Sequence, residues 1–226
     1  MISERKPEDG ALHHDLPFVY RLYRPEHANG EALVLLHGSG PDETSMVPLG
    51  REIMPRATLL AVRGRVIQAG DIRWFTRITP TRFEQESIKA EADAFAGFII
   101  GAAEVLGLKL KRTTFLGYSN GANLVSSVML MHPGLIGRAA LLRPMPVLDD
   151  VPPSDLSKAP VLVVAGASDL TYAPFAPKLV ELLRRHGAEV EARVVGSGHE
   201  FGPEDARAVR EWLAGPATAV ALSRQS

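Results

Sequence analysis

Several short runs of this chain are apolar at almost every position: residues 33–36 (LVLL), 57–62 (ATLLAV), 139–142 (AALL) and 161–165 (VLVVA). A strand with one wet face alternates apolar and polar residues, whereas a strand covered on both faces does not. Such runs therefore belong inside a sheet with helices on either side. The stretches between them carry helical spacing. The clearest covers residues 84–106, where Ile88, Ala92, Phe95, Ile99, Ala102, Ala103 and Leu106 recur three or four apart. Thr81 to Glu84 has the spacing of a capping box before it, and Gly107 is placed to stop it. Further helices are predicted over 44–54, 120–131, 177–185 and 203–213, the last opened by Pro203. Strands are predicted at 113–116 and 190–195 as well.

Alternating strands and helices predict an α/β fold with a mostly parallel central sheet and helices on both faces. The 226 residues are expected to form one domain, with a core over about 17–214 and peripheral ends. The long stretch from Arg63 to Pro80 shows no clean period and reads as a loop. In sheets of this kind, ligands sit beyond the C-terminal ends of the strands.

The residues at those ends are selective. After LVLL comes His37-Gly38-Ser39-Gly40. After TTFL comes Gly117-Tyr118-Ser119-Asn120-Gly121. After VLVVA comes Gly166-Ala167-Ser168-Asp169, and after ARVV comes Gly196-Ser197-Gly198-His199. A G-x-S-x-G alone is a weak signal, but between a strand and a helix it has the context of a sharp turn that lifts one hydroxyl into a cleft. The glycines would let strand and helix approach closely, and the helix N-terminus would favour negative charge beside the serine. The bland alternative is a glycine-rich turn with a solvated serine.

A serine needs a base to act as a nucleophile. His13, His14 and His27 lie in the weakly patterned N-terminal region, and His132 and His186 sit at helix C-termini, where a structural role suffices. His37 is expected to hold its loop by hydrogen bonding. His199, in a small-residue loop after the last strand, is the candidate base. Asp169 is the candidate for orienting it. Asp149, Asp150 and Asp155 are rivals with the look of solvated turn residues beside Pro152 and Pro153. The backbone N–H groups of Asn120 and Ser39 are candidate oxyanion donors. Trp74, Phe75 and Met145 are either pocket walls or core fillers. The arginines of the 63–82 stretch either meet an anionic substrate or pair with acids.

Composition excludes other classes. The net charge is −1 with acids and bases interspersed, which argues against nucleic acid or an anionic membrane as partner. There is no cysteine, hence no disulfide, thiolate nucleophile or cysteine metal site. The N-terminus lacks the apolar core of a signal peptide, so a cytoplasmic location is expected. No metal or organic cofactor is expected.

The pieces LLHGSGPDE, Arg63-Gly64, GYSNGANL, Arg143-Pro144-Met145-Pro146, VVAGASD and GSGHEF, in this order, resemble the small bacterial carboxylesterases of the α/β-hydrolase superfamily, in the phospholipase/carboxylesterase and dienelactone-hydrolase-like group. The chain order Ser119, Asp169, His199 is the one used by these enzymes. The resemblance implies a serine hydrolase acting on small-molecule carboxylic esters, with those residues as triad and Ser39 and Asn120 at the oxyanion positions. The sequence shows no large cap insertion of the lipase kind, and a small cleft favours short acyl or compact aromatic esters. Dienelactone hydrolases proper use cysteine, so their substrate is not implied. Acyl-thioester or acyl-protein hydrolysis by the same triad, and non-catalytic ligand capture on the same fold, are the alternatives. Related folds also form homodimers, and no interface is legible in the sequence.

Overall fold

The computed structural model describes residues 10–157 and 159–215. The strands are β1 (Leu12–His13), β2 (Tyr20–Tyr23), β3 (Ala32–Leu36), β4 (Thr58–Val62), β5 (Val66–Gln68), β6 (Asp71–Arg73), β7 (Arg77–Thr79), β8 (Arg82–Phe83), β9 (Thr113–Tyr118), β10 (Ala139–Leu142), β11 (Pro160–Gly166) and β12 (Glu189–Val195). The helices are α1 (Val47–Ile53), α2 (Gln85–Leu106), α3 (Asn120–Met131), α4 (Ala176–Arg185) and α5 (Pro203–Ala214). Eight strands form the main sheet in the order β1-β2-β4-β3-β9-β10-β11-β12. From β4 to β12 neighbouring strands are parallel, while β1 and β2 pair antiparallel.

The doubly covered strands follow from their composition. Every residue of β3, β9 and β10 is buried. Their side chains divide between two cores. Val34, Leu36, Phe115 and Leu141 pack on the face that carries α2, α3 and α4. Leu33, Leu35, Leu116 and Leu142 pack on the face that carries α1 and α5. Burying a side chain of this size contributes roughly 1.5–3 kcal/mol, so these central strands are the most strongly anchored part of the molecule.

Three local readings are corrected. No strand is predicted before residue 33, yet β2 forms one within the expected core: Tyr20 and Leu22 are buried while Arg21 and Tyr23 are half-buried, an alternation too short to stand out in sequence. The 63–80 stretch is not a featureless loop, because β5 pairs with β6 and β7 with β8 as two small hairpins. The cap of α2 is Glu84 itself, whose carboxylate accepts from the N–H groups of Glu86 and Ser87; Thr81 plays no such part. Gly107 closes the helix in the left-handed region at φ 69°, which favours glycine.

No large cap is inserted among the described residues, and none of their helices is long and apolar enough to cross a membrane.

Candidate active site

The turn between β9 and α3 places Ser119 at φ 51° and ψ −114°, a strained conformation for a residue with a side chain. Its neighbours make the turn possible. A Cβ on Gly117 would lie 2.6 Å from the Ala122 Cα, and one on Gly121 would lie 2.3 Å from the Leu36 carbonyl oxygen. Both distances are far inside van der Waals contact, so only glycine fits. The backbone is pinned from both sides: the Ser119 N–H donates to the Leu142 oxygen at 2.8 Å, and the Asn123 N–H donates to the Ser119 oxygen at 3.0 Å.

Ser119, Asp169 and His199 are brought together from three strand ends. His199 Nδ1 lies 2.7 Å from Asp169 Oδ2, and His199 Nε2 lies 3.1 Å from Ser119 Oγ. A carboxylate can only accept, so Nδ1 carries the proton and Nε2 of the neutral ring accepts from the serine hydroxyl. Asp169 is buried, and its Oδ1 accepts from the Tyr172 N–H at 3.0 Å. The imidazole contacts two aromatic rings, Tyr172 at 4.6 Å and Tyr118 at 5.5 Å between centroids. The rival aspartates stay outside: Asp149, Asp150 and Asp155 are exposed, and Asp155 accepts from the Ser157 N–H within its turn. His132 pairs with Asp93, and His186 lies against Ser154.

The loop after β3 abuts the serine. A Cβ on Gly38 would lie 3.6 Å from the Ser119 Cβ. His37 holds this loop. Its Nε2 accepts from the Gly64 N–H at 3.0 Å, and its Nδ1 donates to the Gly38 oxygen at 2.6 Å. Burial pushes the His37 pKa below its usual value, consistent with a neutral ring making one donation and one acceptance.

The aromatics of the 63–82 stretch are placed in the core. Trp74 and Phe75 are fully buried, and Met145 nearly so. The Trp74 indole donates to the His37 oxygen at 2.8 Å, and its backbone N–H donates to the Asn120 side chain at 2.8 Å. Thus Trp74 braces the two segments that flank Ser119 instead of forming an open wall. Phe75 meets Phe83 edge-on, and the Met145 N–H donates to the Asn123 side chain. The arginines mostly meet acids. Arg63 and Arg21 both donate to the buried Glu43, Arg65 pairs with Glu91, and Arg73 bridges Asp71 and the Ser39 hydroxyl. Burial opposes charge on Glu43, but the hydrogen bonds from Arg63 and Arg21 outweigh it and hold the carboxyl below the usual range.

One residue of the site is named in the sequence only within a matching stretch and is assigned no role there. Arg143 follows β10 at φ 53°, with its side chain fully buried. Its guanidinium donates to Ser197 Oγ at 2.8 Å, the Gly198 oxygen at 2.8 Å and the Glu200 oxygen at 3.1 Å. It also forms a two-pronged ion pair with the buried Asp205 at 2.7 and 3.1 Å. Arg143 therefore grips the chain on both sides of His199. A buried arginine demands buried partners, but which ones is invisible in a linear sequence. Gly166 complements the clamp: a Cβ there would lie 2.2 Å from the Gly198 oxygen, so the His199 loop seats directly on the end of β11.

A parallel sheet covered on both faces, with a serine on a strand-to-helix turn and a histidine–aspartate pair from the next strand ends, defines an α/β-hydrolase. Comparison with known proteins agrees. The chain matches the crystal structure of a carboxylesterase from Mesorhizobium loti at 60% identity, covering 92% of this chain and 100% of that one with a TM-score of 0.90. It matches a Bacillus cereus carboxylesterase at 25% identity, over 88% and 95% of the two chains, with a TM-score of 0.84. It is also 33% identical over 181 residues to MhqD of Bacillus subtilis (strain 168), a protein that carries the name of a hydrolase, covering 80% of this chain and 90% of that protein. No family model matches the chain. The chain belongs to the bacterial carboxylesterases of the α/β-hydrolase superfamily.

Proposed function

We propose that this enzyme cleaves carboxylic esters with short acyl or compact aromatic groups through an acyl-enzyme on Ser119. The observation that carries the proposal is the contact chain Ser119–His199–Asp169, with distances of 3.1 and 2.7 Å. Ser119 Oγ attacks the ester carbonyl while His199 Nε2 takes its proton. Asp169 holds the ring in the required tautomer and stabilises the imidazolium that forms. The backbone N–H groups of Ser39 and Asn120 receive the developing oxyanion, and the start of α3 adds its dipole. The alcohol leaves with the proton from His199. Water, deprotonated by the same nitrogen, then releases the carboxylic acid and frees Ser119.

The acyl range rests on two features. No large cap stands over the site among the described residues, and Trp74, Phe75 and Met145 are packed in the core. The absence of cysteine suits the cytoplasm as the working compartment.

The test is a stopped-flow burst assay with p-nitrophenyl acetate and butyrate. Wild type is expected to release about one equivalent of nitrophenol in the burst, and Ser119→Ala none. Turnover that survives in Ser119→Ala would refute the nucleophile. If neither ester is cleaved but an acyl-thioester is, the substrate class is wrong and the triad stands.

A further inference from the structure

We infer that β12 is a dimerisation edge, at which two copies of this chain join antiparallel about a two-fold axis through Ala192 to make one continuous sheet.

β12 is the last strand of the main sheet, with β11 on one side only. The Glu189 N–H donates to the Ala159 oxygen and the Val195 oxygen accepts from the Ala167 N–H, so the odd-numbered residues bond inward. The backbone groups of Val190, Ala192 and Val194 therefore point outward. Arg184 reaches across to the Val190 oxygen at 2.7 Å, but nothing among the described residues pairs with the outward groups of Ala192 or Val194. An unpaired edge of this length is a template for another strand. Charged residues on an edge can also serve to keep strands apart, so their arrangement decides which reading applies.

On one face of β12 lie Glu191 and Arg193, on the other Val190, Ala192 and Val194. Antiparallel pairing about Ala192 places Glu191 opposite the partner copy's Arg193, and Arg193 opposite the partner copy's Glu191. A shift that centres the axis on residue 191 or 193 sets like charges face to face, which is unfavourable. The charges thus select one register. In that register Ala192 meets its own copy as a hydrogen-bonded pair, and 191 meets 193 as a non-hydrogen-bonded pair, where side chains come closer.

The apolar face agrees. Val194 is 72% exposed, although it is a β-branched residue in a strand. It borders an apolar groove of about 620 Å³ between β12 and α4, walled by Val163, Ala165, Ala176, Pro177 and Val180. The partner's Val190 would lie directly beside Val194 and extend this surface.

The test uses the full chain in sedimentation velocity. Wild type is expected to sediment at about twice the 24.4 kDa of one chain. Glu191→Arg is expected to shift it to monomer, and the triple variant Glu191→Arg, Arg193→Glu, Glu211→Arg to restore the dimer, because it preserves the opposite pairs across the axis and also the pair that residue 193 makes with residue 211 of its own chain. Glu191 and Arg193 lie on the edge strand, three strands away from β9, which leads into Ser119, so p-nitrophenyl ester turnover reports that each variant is folded. The register is checked with single cysteines in this cysteine-free chain. In the inferred register the Ala192 Cα atoms lie about 5.5 Å apart, within disulfide reach, so Ala192→Cys should cross-link on oxidation. The Val194 Cα atoms lie about 13 Å apart at 3.3 Å per residue, so Val194→Cys should not. A monomer at every concentration would mean that the charges protect the edge and would overturn the inference. So would a dimer indifferent to Glu191→Arg, whose interface must lie elsewhere.

Discussion

Replacing Arg143 by methionine tests how the His199 loop is held. Met fills much of the same volume but removes the charge and every donor. Asp205 would then keep its carboxylate in a site where its side chain is fully buried. Breaking a buried ion pair by removing one partner costs about 3–5 kcal/mol. The oxygens of Gly198 and Glu200 lose their donors at the same time. Against a typical total of about 5–15 kcal/mol, this is a large fraction of the stability. Urea unfolding of Arg143→Met should therefore show a strongly lowered midpoint. A second substitution separates charge from packing: Arg143→Met with Asp205→Leu removes the stranded carboxylate. It also removes the acceptor for the Gly202 N–H at the start of α5, worth about 1 kcal/mol as a cap. The double variant should be clearly more stable than the two single costs added together predict. Its kinetics should not recover, because the grip on residues 197–200 is still missing. A displacement of about 1 Å at a reacting group costs on the order of 100-fold, so kcat should fall about 10- to 100-fold with KM little changed. Arg143→Lys should lie in between. A folded Arg143→Met enzyme with wild-type kcat would refute the clamp.

Three further outcomes follow from the geometry. Ser119→Gly should raise the melting temperature while abolishing the burst, because a backbone at φ 51° and ψ −114° stores roughly 1–3 kcal/mol that glycine does not incur; an unchanged or lower melting temperature would count against strain there. Ser39→Ala should leave kcat within several-fold of wild type, since the oxyanion donor is backbone, yet lower stability by about 1–3 kcal/mol, because the buried Arg73 loses an acceptor at 2.7 Å; chemical denaturation beside steady-state kinetics separates the two. The His37 pKa is lower in the folded protein than its ordinary 6.5, so the unfolded chain binds the proton more readily. Its contribution to stability is full above about pH 6.5 and is lost as the pH falls through the depressed folded value. His37→Gln should flatten the urea midpoint against pH on the acid side of 6.5, and an unaltered slope would show that another group carries it.

What the sequence by itself determined is local. Runs such as LVLL and VLVVA are strands covered on both faces because no other arrangement hides every side chain. Gly117 and Gly121 mark a turn because their missing Cβ atoms are what lets α3 approach β3. The positions of Ser119, Asp169 and His199 at one edge of the sheet follow from the order of the elements, since parallel strands put their C-terminal ends on one side. Even the small role of His37 was readable from its place in that loop.

Where the reading stopped, the reason is distance along the chain. The sequence favours Asp169 over Asp149, Asp150 and Asp155 by its place after a strand, but only the fold sets its carboxylate 2.7 Å from His199 and leaves the others in solvent. β2 joins the sheet through pairing with β4, and its four residues are too few to carry a period of their own. Trp74 and Phe75 are core residues because the hairpins fold back over α2, which their spacing does not announce. Arg143 reaches Asp205 across 62 residues of sequence. Secondary structure is set by neighbours along the chain and so leaves its mark in a window of sequence. A buried ion pair is set by which groups the finished fold removes from water together, and that was decided only when the tertiary structure closed.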